Sequence, residues 1–182
     1  MLWIIASLAV VILFVIASYN GLVRLRVQAD ESWSGIDVQL KRRHDLIPNL
    51  VETVKGYASH EKETLDRVIT ARNSAMSAQT PEAKAGAENM LTGALKTVFA
   101  LSEAYPDLKA NQNFMALQKS LEEVEDNLQN ARRYYNAVAR DLNTKCDTFP
   151  SVLIANAFGF KKRIFFEAEA SERDNVKVSF NP

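Results

Sequence analysis

The residue pair best suited to chemistry is His60-Glu61. A helical zinc-hydrolase site needs a second imidazole four residues after the first, so that both rings share one face and the glutamate acts as base. Position 64 is Thr, so that ligand is missing. The other histidine, His44, precedes the pair by several helical turns and would have to be brought in by the tertiary fold. Cys146 is the only cysteine. No flanking residue marks it as reactive, and it reads as a small hydrophobe near a helix end. The six glycines are scattered, so no loop is built to cradle phosphate, and no nucleophile motif surrounds any serine. The sequence therefore points away from an enzyme, and no metal or cofactor site is expected.

Two segments carry a different kind of chemistry, that of contact. Ile36–Asn49 gathers charges and amides around Pro48. It reads either as a solvated face whose side chains satisfy carbonyls freed by the proline, or as a polar docking patch for a protein partner. The residues of the second reading are Asp37, Arg42, Arg43, Asp45 and Asn49, with Lys41 and Asp45 forming a plain i,i+4 pair. Phe149–Phe166 interleaves aromatic rings with Lys161-Lys162-Arg163. It reads either as a short helix capping a core or as an interfacial element, rings in lipid and cations at headgroups. The interfacial candidates are Phe158, Phe160, Lys161, Lys162, Arg163 and Phe165.

These segments are positioned by what precedes them. The first charged side chain is Arg24, and Leu2–Ile16 is apolar apart from Ser7. A helix over Leu2–Val23 would be about 33 Å long, against a bilayer core of about 30 Å. The Leu, Ile, Val and Phe side chains of Leu2–Ile16 favour insertion by about 3 to 7 kcal/mol in all. Trp3 and Tyr19 lie near the ends, where aromatic rings favour the headgroup zone. A cleaved signal would need a basic segment before the apolar run, and none is present. Residues 1–23 are thus expected to be a retained transmembrane anchor. Arg24 and Arg26 follow it with no Lys or Arg before it, so the positive-inside rule places residues 24–182 in the cytoplasm and the N-terminus outside.

Lys plus Arg and Asp plus Glu number 22 each. That balance offers no basic face to nucleic acid. One cysteine allows no disulfide framework. Beyond the anchor the chain reads as helix. Phe114, Leu117, Leu121, Val124, Leu128, Ala131, Tyr135, Val138 and Leu142 alternate in steps of three and four, a coiled-coil-like seam that must face another long helix; Phe149 extends its phase. Ala87, Leu91, Ala94, Val98, Leu101 and Tyr105 form a second seam. Thr80-Pro81 opens that helix as N-cap and first residue, and Tyr105-Pro106-Asp107 closes it. Residues 22–79 read as one further helix, kinked at Pro48. The expected fold is all-α: an N-terminal transmembrane helix, then an antiparallel bundle of three long helices plus a short C-terminal one. Its domains are 1–23 as anchor, 24–160 as bundle and 161–182 as a polar tail. Three helices leave apolar stripes uncovered, so homo-oligomers are expected.

Over nearly its full length the chain resembles the LemA family of bacterial membrane proteins. The resemblance is carried by Tyr19–Val23, Trp33 with Asp37–Arg43, Asp45–Val51, Gly56-Tyr57, His60-Glu61, Tyr105–Asn111, Asn113-Phe114, Leu117-Gln118, Ala131–Asn136 and Phe149-Pro150-Ser151. Val152 departs from the Asn expected after Phe-Pro-Ser. The resemblance implies a single-pass protein of the bacterial cytoplasmic membrane carrying a helical bundle with no established catalytic activity. It also implies association with membrane zinc proteases of the HtpX type, and kinship with a protein that helps build magnetosome membranes. Residues and resemblance together suggest a non-enzymatic membrane-anchored scaffold or adaptor working through helix surfaces. The alternative is an oligomer that remodels or organises the membrane.

Overall fold

A computed structural model describes residues 1–166, which hold six helices and no strand. They are α1 (Leu2–Lys55), α2 (Lys62–Ser77), α3 (Pro81–Ser102), α4 (Pro106–Lys109), α5 (Gln112–Asp147) and α6 (Ser151–Ala157). The chain is all-α, a long apolar N-terminal helix leading into a helical bundle. It divides into two compact units, Met1–Leu46 with Gln118–Phe165, and Ile47–Leu117 with Phe166.

In the first unit α1 leaves the apolar segment without interruption. Its residues up to Ala17 are almost all exposed, as a lipid-facing segment would be, and α1 is the one described helix long and apolar enough to cross a membrane. Burial begins at Ser18 and Leu22 and recurs at Ala29, Ser32, Ile36, Leu40 and Arg43, the spacing of one helix face. That face meets α5, whose buried residues Leu121, Val124, Leu128, Tyr135, Val138 and Leu142 are the expected seam. Leu22, Ala29, Val138, Leu142, Cys146 and Ala155 form one buried cluster, with Leu25, Ile154 and Phe160 packed against it.

One residue departs from the seam. Phe149 should extend its phase, yet it is 81% exposed. The helix ends at Asp147, and Cys146, one residue off the strict heptad, fills the buried position instead. A straight helix of 3.6 residues per turn drifts from a 3.5-residue repeat in this direction. After α5, Ser151 Oγ donates to the Lys145 and Thr148 carbonyls, at 2.7 and 3.0 Å, covering acceptors left free at the helix end.

α6 ends on Gly159, whose φ of 70° is left-handed. The Phe160 N–H then reaches back to the Ala155 carbonyl at 2.9 Å. This is the Schellman closure that glycine permits without steric strain, and it turns Phe160 back into the cluster.

In the second unit, α2 and α3 pack against each other as a hairpin joined by a short loop. Thr80 Oγ1 accepts the Ala83 N–H at 3.2 Å, and Pro81 stands at the first helical position. The buried positions of α3 are Ala87, Glu88, Leu91, Leu95, Val98 and Ser102. Leu95 and Ser102 replace the expected Ala94 and Leu101 by the same drift.

The single helix expected over 22–79 is corrected. α1 runs through Pro48 to Lys55, and the break comes at Gly56–Glu61. Gly56 weakens the helix there, and the Tyr57 and Ala58 N–H groups close on the Val54 carbonyl at 3.0 and 2.8 Å. Ala58 is buried in the turn. The Pro106 segment forms a one-turn helix, α4, between α3 and α5, with Leu108 buried. Phe99 and Phe114 meet edge to face at 6.2 Å.

Leu142 is central to the α1–α5 cluster at 1% exposure, so Leu142→Ala should cost roughly 2 to 5 kcal/mol. Thermal unfolding of the detergent-solubilised full chain, followed by circular dichroism, measures this loss.

Candidate functional site

The residues considered for catalysis are not gathered. His60 sits exposed on the α1–α2 turn, in the second unit, while His44 is buried on α1, in the first. Thr64 is buried on α2. Among the described residues no three of His, Cys, Asp and Glu are grouped to hold a metal. Cys146 is buried in the apolar cluster. Burial raises its pKa, Asp147 adds to the rise and Lys162 opposes it, so the thiol is held in its unreactive protonated form.

The residues of the docking reading separate according to the turn of α1. Arg42 and Asp45 are exposed, with Lys41 Nζ 3.3 Å from Asp45 Oδ2. Val38, one turn before Arg42, is 63% exposed on the same side. Asp37 is half-buried, and Asn49 lies exposed in the second unit, its carbonyl accepting from Thr53 Oγ1 at 2.7 Å. Arg43 behaves differently. Its side chain is withdrawn into the first unit at 4% exposure, where a guanidinium nitrogen lies 3.2 Å from Glu125 Oε2 on α5. Arg132 approaches the other oxygen of that carboxylate at 3.9 Å. A guanidinium taken out of water needs such a partner, so Arg43 fastens α1 to α5 and is not part of an open patch.

The interfacial candidates also separate. Phe158 and Phe160 both stand edge-on to Tyr19, at 4.9 and 5.7 Å between ring centres. The Arg26 guanidinium lies 5.4 Å from the Phe160 ring, within cation–π range. These rings clasp the point where the apolar part of α1 ends. Lys161 is exposed, and Lys162 pairs with Asp147 at 3.1 Å.

From there to Phe166 the described chain has no regular structure but is tied down. The Arg163 N–H donates to Asn143 Oδ1 at 2.7 Å while Asn143 Nδ2 donates to the Arg163 carbonyl at 2.8 Å. The Arg163 side chain pairs with Asp30, and Tyr135 donates its hydroxyl to the Ile164 carbonyl at 2.9 Å. Residues 160–165 are therefore a strap across α1 and α5, with Phe165 exposed at its end. The polar tail set at 161–182 has its first residues in this strap; 167–182 lie outside the described residues.

Sequence reasoning missed one constellation, in the second unit. The α1–α2 turn and the α4 segment meet through side chains. Tyr105 donates to Glu61 Oε1 at 3.1 Å, and Asn111 Nδ2 to the Tyr57 hydroxyl at 2.9 Å. Asn111 Oδ1 accepts the Phe114 N–H at 3.0 Å, capping α5. The Tyr105 phenol is raised above its ordinary pKa, first by its hydrogen bond to Glu61 and then by desolvation. Gly56-Tyr57, His60-Glu61 and Tyr105–Asn111 all carry the family resemblance, and that shared membership was the available signal. Its visible role is to pin two loops.

A charge-free helical segment continuing into a strapped bundle, with polar side chains holding helices together, defines a membrane-associated helical protein. The sequence profile of the LemA family matches residues 32–180, and the chain belongs to that family. It is 27% identical to Protein LemA of Metamycoplasma hominis over 164 residues, 88% of this chain and 74% of that one. It is 23% identical to the magnetosome protein MamQ of Magnetospirillum gryphiswaldense over 186 residues, 88% of this chain and 68% of that one. A second such protein, MamQ 2 of Paramagnetospirillum magneticum, is 24% identical over 175 residues, 82% of this chain and 64% of that one. LemA is not known as an enzyme family, and none of these names indicates a catalytic activity.

Two neighbouring arginines give the test of the site's division. Arg43→Ala should destabilise the protein by roughly 3 kcal/mol, the lower end for breaking a buried ion pair, because Glu125 keeps some solvent contact. Arg42→Ala should change stability by less than about 0.5 kcal/mol. Urea unfolding of the two variants in detergent compares them directly.

Proposed function

We propose that the protein is a non-enzymatic, membrane-anchored adaptor whose bundle presents an exposed face of α1 to a membrane protein partner. The observation that carries this reading is the continuity of α1 from Leu2 through the residues of the first unit. The anchor and the candidate docking residues share one helix, so a partner on that face is held at a set height. From Tyr19 to Arg42 the helix rises about 35 Å, within reach of the soluble part of a neighbouring membrane protein. Val38 supplies apolar area there, while Arg42 and Asp45 offer both charge signs for register and selectivity. A membrane zinc protease of the HtpX type is the partner suggested by the family resemblance, and a second copy of the chain is the other. With the basic residues following the anchor held inside, the bundle lies on the cytoplasmic side of the bacterial inner membrane.

A second reading, an oligomer that organises the membrane, is favoured by the exposure of Phe149 and Phe158 beside the clasp. Electron microscopy of vesicles carrying the full chain distinguishes it, since narrowed or tubulated vesicles support it and unaltered vesicles count against it.

A photoreactive amino acid at Val38 tests the adaptor reading in intact membranes. One discrete adduct is expected, and reversing Arg42 and Asp45 together (R42E with D45K) should reduce its yield on the order of tenfold, about 1.4 kcal/mol of contact energy. Equal adduct yield in wild type and reversal, or none in either, would refute the docking face.

A further inference from the structure

α6, with Phe149 two residues before it and Phe158 just after it, carries an exposed apolar surface. Phe149 is 81%, Leu153 60% and Phe158 58% exposed. Phe149, Leu153 and Ala157 recur at helical spacing, opposite the buried Ser151 and Ala155. Three adjacent large apolar side chains in water are unusual away from an interaction site.

The register of α1 against α5 shows what environment this surface meets. Gly21 faces Lys145, so closely that a methyl group there would strike the Lys145 ammonium. Gln28 Nε2 donates to the Tyr134 hydroxyl at 2.8 Å, and Arg43 pairs with Glu125. Each step up α1 is matched by a step down α5, as antiparallel helices require. The same register brings Lys145 level with Gly21, just past Tyr19, and Phe158 touches the Tyr19 ring. The apolar stripe of α6 thus lies beside the C-terminal end of the charge-free segment, against Tyr19 and Leu22.

The charges around it fit the same placement. The stretches 24–31 and 140–163 that surround the clasp carry seven Lys and Arg, Lys161 and Lys162 among them, against four Asp and Glu. That excess of cations matches an anionic headgroup layer.

We infer that α6 is a second membrane contact, a foot whose Phe149, Leu153 and Phe158 side chains enter the lipid beside the anchor while Lys161 and Lys162 stay with the headgroups. Phe160 and Arg163, grouped with these residues on sequence, serve the clasp and the strap. Two contacts fix what one helix leaves free, the rotation of the bundle about the anchor axis, and so select the face turned toward neighbouring membrane proteins. The inference rests on α1 being the anchor, and its test reports on both separately.

The full chain, with Cys146→Ser, is placed in phosphatidylcholine–phosphatidylglycerol vesicles with one spin label at a time. Labels go at Ile12, Phe149, Leu153 and Arg140, all exposed positions. Accessibility to oxygen and to a nickel chelate then reports depth. Positions 149 and 153 should favour oxygen, as position 12 does, and position 140 should favour nickel. Nickel preference at both 149 and 153, with position 12 in lipid, overturns the foot and leaves the anchor standing. Nickel preference at position 12 overturns the anchor and the foot together. Spin–spin broadening at 153 shows a second copy covering the surface and likewise overturns it.

Discussion

Backbone amides in a bilayer core have no water to bond, so the first segment must close every hydrogen bond within itself. A helix is the only form open to a single span. α1 meets that requirement and then does not stop. Because no turn separates the apolar segment from the rest of α1, the two share one helix axis. The aromatic clasp at Tyr19, the α1–α5 seam and the strap all act on that single rod.

The polar groups of the first unit are spent on that rod. Arg43 meets Glu125, Arg163 meets Asp30, and Asn143 holds the strap backbone from both its oxygen and its nitrogen. The Arg43 guanidinium would be costly to bury alone, whereas the Arg163–Asp30 pair is largely exposed. Cys146 is buried in apolar surroundings that raise its pKa. The exposed surfaces of the first unit include the Val38–Asp45 face of α1 and the stripe of α6.

Much of this was legible in the sequence because it rests on periodicity and charge. The long apolar helix could be read from uninterrupted apolar residues, and the α5 seam from a three-four alternation whose members Leu121, Val124, Leu128, Tyr135, Val138 and Leu142 are all buried. The Thr80-Pro81 start was equally plain, because a side-chain cap acts locally. Periodicity says little about where a helix yields to a turn. Pro48 drew attention, yet the helix absorbs it, and Gly56 with its neighbours makes the break. Nor does a residue list show which side chains turn inward. Arg43 looks like Arg42 until α1 is set against α5, and Phe160 looks like Phe158 until Gly159 reverses the chain between them. The Tyr57–Asn111 and Tyr105–Glu61 bonds join distant stretches, which no local pattern encodes.

The continuity of α1 across the membrane boundary is tested most directly by a distance measured through it. Spin labels at Ile12 and Arg42, in the Cys146→Ser full chain in vesicles, lie on opposite sides of Tyr19 in a single helix. Pulsed dipolar spectroscopy should return one narrow distribution near 45 Å, the rise expected of unbroken helix over that stretch. A broad distribution, a markedly shorter distance, or loss of the Ile12 label from the mature protein would contradict the rigid anchor-to-bundle rod on which the adaptor reading stands.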